Sequence, residues 1–182
     1  MPMLPVIRPA NDADAPLLAA FAAQAFADTY RALSDPQEIA DYVAEHFHPE
    51  RVAAVLADAA CTTLVAQLGE QLAGYAIVRA GPPPACVTGP RPIELWRLYL
   101  GQGFIGQGLG ARLMHEVHAL ARRQGAGTLW LGVYDRNVRA VDFYRRGGFS
   151  QVGGREFLFG GQVYIDPVYA APVRPASEEI RP

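Results

Sequence analysis

Between Pro92 and Gly110 the chain reads PIELWRLYL, GQGFI and GQGLG, with glycines at 101, 103, 106, 108 and 110. The apolar run from Ile93 to Leu100 predicts a buried strand. Leu109, Leu113, Val117 and Leu120 then recur at the spacing of a helix face. Strand, glycine-rich turn and helix N-terminus in that order present unpaired backbone N–H groups to an anion. Glycine tolerates φ > 0 and lets a phosphate lie against the backbone. The amides of Gly106, Gln107, Gly108, Leu109, Gly110 and Ala111 are therefore the predicted phosphate cradle. A second set of residues lies in YDRNVRAVDFYRRGGF at 134–149, where Asn137, Ala140 and Tyr144 fall at i, i+3 and i+7 on one helix face. An amide, a small residue and a phenol on that face can meet one ligand. Glu94 is the third candidate, an acid between Ile93 and Leu95 that is costly to bury without a task or a partner. It reads as a general base, as an ion pair with Arg97 or Arg91, or as an exposed acid at the strand start.

Two motifs overlap in the glycine stretch. Gly101-Gln-Gly103-Phe-Ile-Gly106 matches the dinucleotide fingerprint G-x-G-x-x-G, but only 72 residues (182 − 110) remain for the further βα units such a domain needs. Asp135 also lies about 30 residues past the last fingerprint glycine, where about 20 is expected. The other motif, Ile105 to Gly110, resembles the acyl-CoA pyrophosphate loop (Q/R-x-x-G-x-G/A) of the GNAT superfamily of N-acetyltransferases, with Ile105 where the family usually has Gln or Arg. Residues 137–149 resemble a second signature of that family, N-x-x-A-x-x-F-Y-x-x-x-G-F.

The resemblance implies acetyl-CoA as cofactor and a set of roles. Leu98, Tyr99 and Leu100 at the strand end, the turn and helix start from Ile105 to Ala111, and Asn137, Ala140 and Tyr144 would bind it. Arg112, Arg139 and Arg145 are candidates for its 3′-phosphate. The family's general acid falls on Tyr144: a phenol with a pKa near ~10 is protonated at neutral pH and can donate to a thiolate whose pKa is near ~8.5. The family's glutamate base, where present, falls on Glu94, and the oxyanion donor on the N–H of Leu100. No metal is implied.

Composition limits the alternatives. At 182 residues the chain fits one domain with a sizeable core, and 51% hydrophobic with 19% charged residues predicts a folded globule. A net charge of −2 gives no footprint for nucleic acid. All sixteen basic residues are Arg, which excludes a Lys nucleophile, a Schiff base and a Walker loop. Cys61 and Cys86 make neither a disulfide framework nor a zinc site and read as ordinary thiols. His115 and His118, at i and i+3, lack acidic or Cys partners at ligand spacing and read as surface residues. There is no long apolar run and no secretory leader pattern, so a cytoplasmic protein without a membrane partner is expected.

The elements that must position these residues are read from pattern. Leu4–Arg8 reads as a strand closed by Pro9. Asn11, Asp12 and Asp14 cap a helix that starts at Pro16 and shows Leu17, Leu18, Phe21, Ala25 and Phe26. A second helix after Asp35-Pro36 carries Ile39, Tyr42, Val43 and Phe47. Pro49 breaks it, and Arg51–Ala59 forms a third. Cys61–Gln67 and Gln71–Arg79 make a hairpin, and GPPPACVTGPRP a loop. After the central strand and helix come a strand at Thr128–Tyr134, a helix at Asn137–Arg146, and strands at Phe149–Phe159 and Gln162–Tyr169. The class is α/β (α+β), a mixed sheet flanked by helices, which is the order the resemblance implies. Residues 1–172 form one domain, and 173–182 is expected to be a disordered tail.

The acceptor is read from weaker signals. Asp35, Glu38, Asp41, Glu45 and Glu50 crowd the second helix, either as a wall attracting a cationic amine or as a solvated face. Residues 94–99, 105–110, 130–140 and 157–168 resemble the PaiA-type polyamine acetyltransferases. The expectation is an acetyl-CoA-dependent N-acetyltransferase acting on a small primary amine, polyamine-like first. The alternatives are a protein or peptide N-acetyltransferase and a non-catalytic acyl-CoA-binding module. The resemblance also admits a homodimer through the C-terminal strands.

Overall fold

The computed structural model describes residues 4–176. Strand β1 (Val6–Pro9) leads through one 3-10 turn into helix α1 (Ala15–Tyr30). Asn11 caps the turn: its side chain accepts the Ala13 N–H, and the Asp14 carboxylate accepts the Asn11 N–H at 2.8 Å. Arg8 grips the same carboxylate at 2.7 and 2.8 Å, and this hydrogen bond above all holds the Asp14 carboxyl below its ordinary range. Pro9 belongs to β1, where it pairs with Leu64, rather than ending the strand before it.

Helices α2 (Pro36–His46) and α3 (Pro49–Ala57) come next. Pro49 starts α3 instead of only breaking α2, because the first helical turn needs no amide hydrogen there. Strands β2 (Cys61–Leu68), β3 (Gln71–Arg79) and β4 (Pro92–Leu100) precede α4 (Leu109–Arg123). Then come β5 (Thr128–Gly132), α5 (Val138–Arg146), β6 (Ser150–Phe159) and β7 (Gln162–Pro172). β5 stops at Gly132, short of Tyr134, and β7 runs on to Pro172, which pairs with Thr128.

The seven strands form one mixed sheet in the order β1-β2-β3-β4-β5-β7-β6. β4 and β5 are parallel, while β5–β7 and β6–β7 are antiparallel. A parallel neighbour requires a crossover, and α4 is that connection.

The chain gathers into two compact units, one running up to Ile77 and including Arg97–Met114, the other comprising Val78–Trp96 and the chain from His115 on. The first buries Leu18, Ala22 and Phe26 of α1 with Val65, Ala73 and Tyr75 of the sheet. Leu17 is 42% exposed: the buried stripe of α1 runs through its alanines instead. Phe26 stacks on Tyr42 with ring centroids 4.5 Å apart, and the buried Arg97 guanidinium lies 4.6 Å from the Phe47 ring. The second unit buries Leu129, Leu131, Val117 and Val168, and packs Val87 of the proline-rich loop against Trp130.

His118 is 1% exposed, a core residue and not the expected surface one. It continues the buried Met114 and Ala121 stripe at i, i+4 and i+7. Its Nδ1 accepts the Arg174 N–H at 3.1 Å, and the Val173 N–H donates to Gly127 at 3.0 Å. Residues 177–182 of the expected tail lie outside the described residues.

Candidate active site

The glycine cradle lies in the first unit. β4 ends in a hydrogen bond from the Gly101 N–H to the Ala73 carbonyl at 2.9 Å, and a 3-10 turn over Gln102–Phe104 comes after it. Gly106 and Gly108 then take φ of +79° and +80°. A Cβ at either position, or at Gly103, would meet nothing within 4 Å, so packing does not demand glycine there. At 106 and 108 the left-handed backbone demands it. The Arg112 N–H donates to the Gly108 carbonyl at 3.1 Å, which leaves the earlier amides of α4, at Leu109, Gly110 and Ala111, without intrahelical acceptors. The Gln107 side chain folds back onto the Gly103 carbonyl. Two left-handed glycines before a helix start with open amides fit a pyrophosphate, which needs donors and close backbone approach and no side-chain charge. Ile105 therefore removes nothing the cradle requires. Arg112 is drawn to the Pro5 carbonyl at 2.9 Å.

Tyr144 and Asn137 lie in the second unit. Asn137 stands just ahead of α5 as its N-cap, not within the helix, and its side chain accepts the Ala140 N–H at 3.3 Å. Tyr144 is buried in α5, edge-on to Phe143 and Phe149. Packing on both sides fixes the direction of its ring. Arg145 lies over the Tyr169 ring at 5.9 Å, and Arg139 is exposed.

Glu94 is 4% exposed and gives both oxygens to guanidinium groups. Arg79 donates Nε and Nη2 to Oε2 at 2.9 and 2.7 Å, and Arg155 donates Nη1 to Oε1 at 2.7 Å. Glu94 is therefore ion-paired and not exposed, with partners on β3 and β6 in place of the expected Arg91 or Arg97. Arg91 donates instead to the Gly125 carbonyl at 2.6 Å, and Arg97 faces Tyr42 and Phe47. Each guanidinium of the pair is backed by an indole: Arg79 lies 4.0 Å over Trp96 and Arg155 lies 5.4 Å from Trp130. Gly132 makes room, since a Cβ there would come within 2.6 Å of Arg155 Nε.

Sequence pattern missed this cluster because its members come from four strands. Asp166, the register partner of Arg155, also lies there, 7% exposed. Burial raises its pKa, against the pull of Arg155, and Asp135 raises it further. Among the described residues, no group of His, Cys, Asp and Glu could hold a metal, and no helix is long and apolar enough to cross a membrane.

Residues 23–149 match the model of the acetyltransferase (GNAT) family. An uncharacterised N-acetyltransferase of Mycobacterium tuberculosis (strain ATCC 25618 / H37Rv) is 37% identical over 147 residues, 81% of this chain and 90% of that protein. Over 59 residues, 32% of this chain and 31% of the relative, it is 42% identical to streptothricin acetyltransferase of Streptomyces lavendulae. Among solved structures, PaiA N-acetyltransferase from Thermoplasma acidophilum in complex with coenzyme A has the same fold. The TM-score is 0.78 at 20% identity, over 93% of this chain and 99% of that one.

Proposed function

The chain belongs to the acetyltransferase (GNAT) family, and from that premise we propose that it moves the acetyl group of acetyl-CoA to a primary amine of a small molecule. The observation that carries this reading is the pair of left-handed glycines ahead of the open amides of α4. Those amides, from Gly106 to Ala111, hold the pyrophosphate of coenzyme A, with Leu98, Tyr99, Leu100, Asn137 and Ala140 along its arm. Bound there, acetyl-CoA supplies an acetyl thioester activated toward nucleophiles. Tyr144 acts as general acid, its hydroxyl giving a proton to the departing sulfur. The phenol is suited to this because it keeps its proton at neutral pH while a thiol is near its own pKa.

A polyamine-like acceptor is the first choice. Asp35 at the N-cap of α2 and Asp41 and Glu45 on the helix expose carboxylates, and the PaiA structure shares the fold. Asp35 and Asp41 also have local work, capping α2 and accepting the Gln37 amide. The match to streptothricin acetyltransferase favours an amine-bearing antibiotic as second reading. A cytoplasmic setting goes with a supply of acetyl-CoA. The exposed Leu158, Val163 and Ile165 on the β6–β7 hairpin support pairing of two copies.

The test is release of free thiol from acetyl-CoA against spermidine, spermine, streptothricin, aminoglycosides, amino acids and short peptides. Turnover with one amine class, falling at least tenfold in Tyr144→Phe with unchanged acetyl-CoA affinity, supports the reading. Turnover on peptides alone makes the chain a peptide acetyltransferase. Tight acetyl-CoA binding with no turnover in either form makes it a binding module.

A further inference from the structure

Arg97 is a buried cation, 8% exposed, that neither the cradle nor the Glu94 cluster uses. Rings enclose it. The guanidinium lies 4.6 Å from the Phe47 ring and 6.0 Å from that of Tyr42, and Nη2 donates to the Tyr42 hydroxyl over a long 3.4 Å. Burial lowers the pKa of Arg97, and the phenols of Tyr75, Tyr42 and Tyr99 together raise it by more. Tyr75, on β3, stacks on Tyr99 with ring centroids 5.8 Å apart. The Tyr75 hydroxyl is sealed from solvent and has no hydrogen-bond partner, and the cation that acts on it is Arg97. Leaving such a hydroxyl unpaired is costly. Burial raises the Tyr75 pKa, so the hydroxyl keeps its proton and is a donor in want of an acceptor.

These residues share one compact unit with the glycine cradle. β4 carries Arg97 directly before Leu98, Tyr99 and Leu100, the residues proposed along the arm of coenzyme A. Three strand residues, about 10 Å, separate Arg97 from Leu100, which is within the length of a small molecule. Tyr42 of α2 is half-buried, and among the described residues of α2 only Ile39 is buried. The helix that sets Tyr42 against Arg97 is therefore lightly anchored and can give way to a ligand. The acids of α2 are exposed, where water screens them, whereas Arg97 is buried, where its charge is felt most.

We propose that Arg97 and Tyr75 bind a carboxylate of the acceptor, so that the amine acetylated belongs to an amino acid. This rests on the acetyltransferase reading and turns its choice among small amines from polyamines to amino acids. The planar guanidinium fork matches a carboxylate, and the Tyr75 hydroxyl gains the acceptor it lacks. A polyamine would instead bring a second ammonium to the guanidinium, a like charge where water screens little.

The experiment measures kcat/KM in thiol release from acetyl-CoA for amines that differ by one carboxylate: lysine against cadaverine, and ornithine against putrescine. In the unsubstituted protein the carboxylate-bearing member of each pair should be preferred by about tenfold or more. Arg97→Met and Tyr75→Phe should each remove most of that preference, through the KM of the amino acid. Tyr75→Phe deletes a buried hydroxyl that lacks a partner, so it should fold at least as stably and carries the test even where Arg97→Met does not fold. A purely structural role would move stability and leave the ratio within each pair unchanged. A preference for the diamines in the unsubstituted protein, or an unchanged ratio in Tyr75→Phe, overturns the proposal. Calorimetric titration of lysine and of cadaverine, with coenzyme A present, separates this proposal from the reading beneath it. If no amine releases thiol, the acetyltransferase reading falls. Tighter binding of lysine than of cadaverine, lost in Tyr75→Phe, then still upholds the carboxylate site, and equal binding of the two overturns it.

Discussion

His118 should make the fold acid-sensitive well above the range where carboxylates titrate. It is 1% exposed, its Nδ1 accepts the Arg174 N–H, and its Nε2–H has no partner. Burial first, then the charges of Arg174 and Arg122, lower its pKa from 6.5 to about 4. Protonation at Nδ1 would also break the bond to Arg174. Because the folded pKa lies below the unfolded one, the unfolded chain binds more protons between the two values, and stability falls as pH falls through that window. With 6.5 unfolded and about 4 folded, the loss between pH 8 and pH 5 is RT ln[(1 + 10^1.5)/(1 + 10^−1)], or about 2 kcal/mol. Asp14, whose folded pKa is depressed, contributes stability that is lost only at lower pH. Asp166, whose folded pKa is raised, acts in the opposite sense to His118, so the absolute slope is a mixture. The comparison is therefore with His118→Asn, which keeps an oxygen for the Arg174 N–H and does not titrate. Urea denaturation at half-unit steps from pH 4.5 to 8 should show a loss about 2 kcal/mol larger in the parent than in the variant, which keeps the contribution of His46, whose pKa burial also lowers. Equal losses in both would refute the assignment.

Further substitutions probe the rest. Glu94→Gln leaves two guanidinium groups without a counter-charge and should reduce stability by about 2 to 3 kcal/mol, less than a fully buried pair because Arg79 and Arg155 keep some water; chemical denaturation measures it. Gly132→Ala should push the flexible Arg155 head off Glu94 for about 1 kcal/mol, and double-mutant analysis with Arg155→Met should show strong coupling. Gly108→Ala imposes left-handed strain of about 1 kcal/mol and should weaken acetyl-CoA binding at least tenfold by calorimetry. Gly103→Ala, with open space and no left-handed backbone, should leave that affinity intact.

The cradle is legible in the sequence because everything that makes it is local. Glycines in the left-handed region, a strand before them and a 3.6-residue apolar period after them are all written between Ile93 and Leu120. α1 is only partly legible: in a helix whose buried stripe is largely alanine, Leu17 looks like a core residue and is not. Pro49 is ambiguous for the same kind of reason, since one missing amide hydrogen ends a helix or begins one according to the residues beyond it. The Met114–His118–Ala121 spacing places His118 in the core, whereas pairing it with His115 points to the surface.

The Glu94 cluster shows where a sequence alone runs out and where it does not. Its partners are 15 residues before it and 61 after it, and nothing local brings β3 and β6 to β4. Strand alternation nevertheless argues against Arg97. Three residues from Glu94, it falls on the opposite face of β4, where it meets Tyr42 and Phe47. The same alternation separates Asp166 from Tyr169 on β7, which places the Arg155 partner and the ring covered by Arg145 on different faces. The period of two is readable in the chain, but the register that turns it into chemistry comes from the sheet. Glu94 opposite Trp130 pairs strands 36 residues apart (130 − 94), whereas Arg155 and Asp166 face each other 11 residues apart (166 − 155) across the β6–β7 hairpin, so the hairpin pairing is readable in the chain while the β4–β5 register needs the fold.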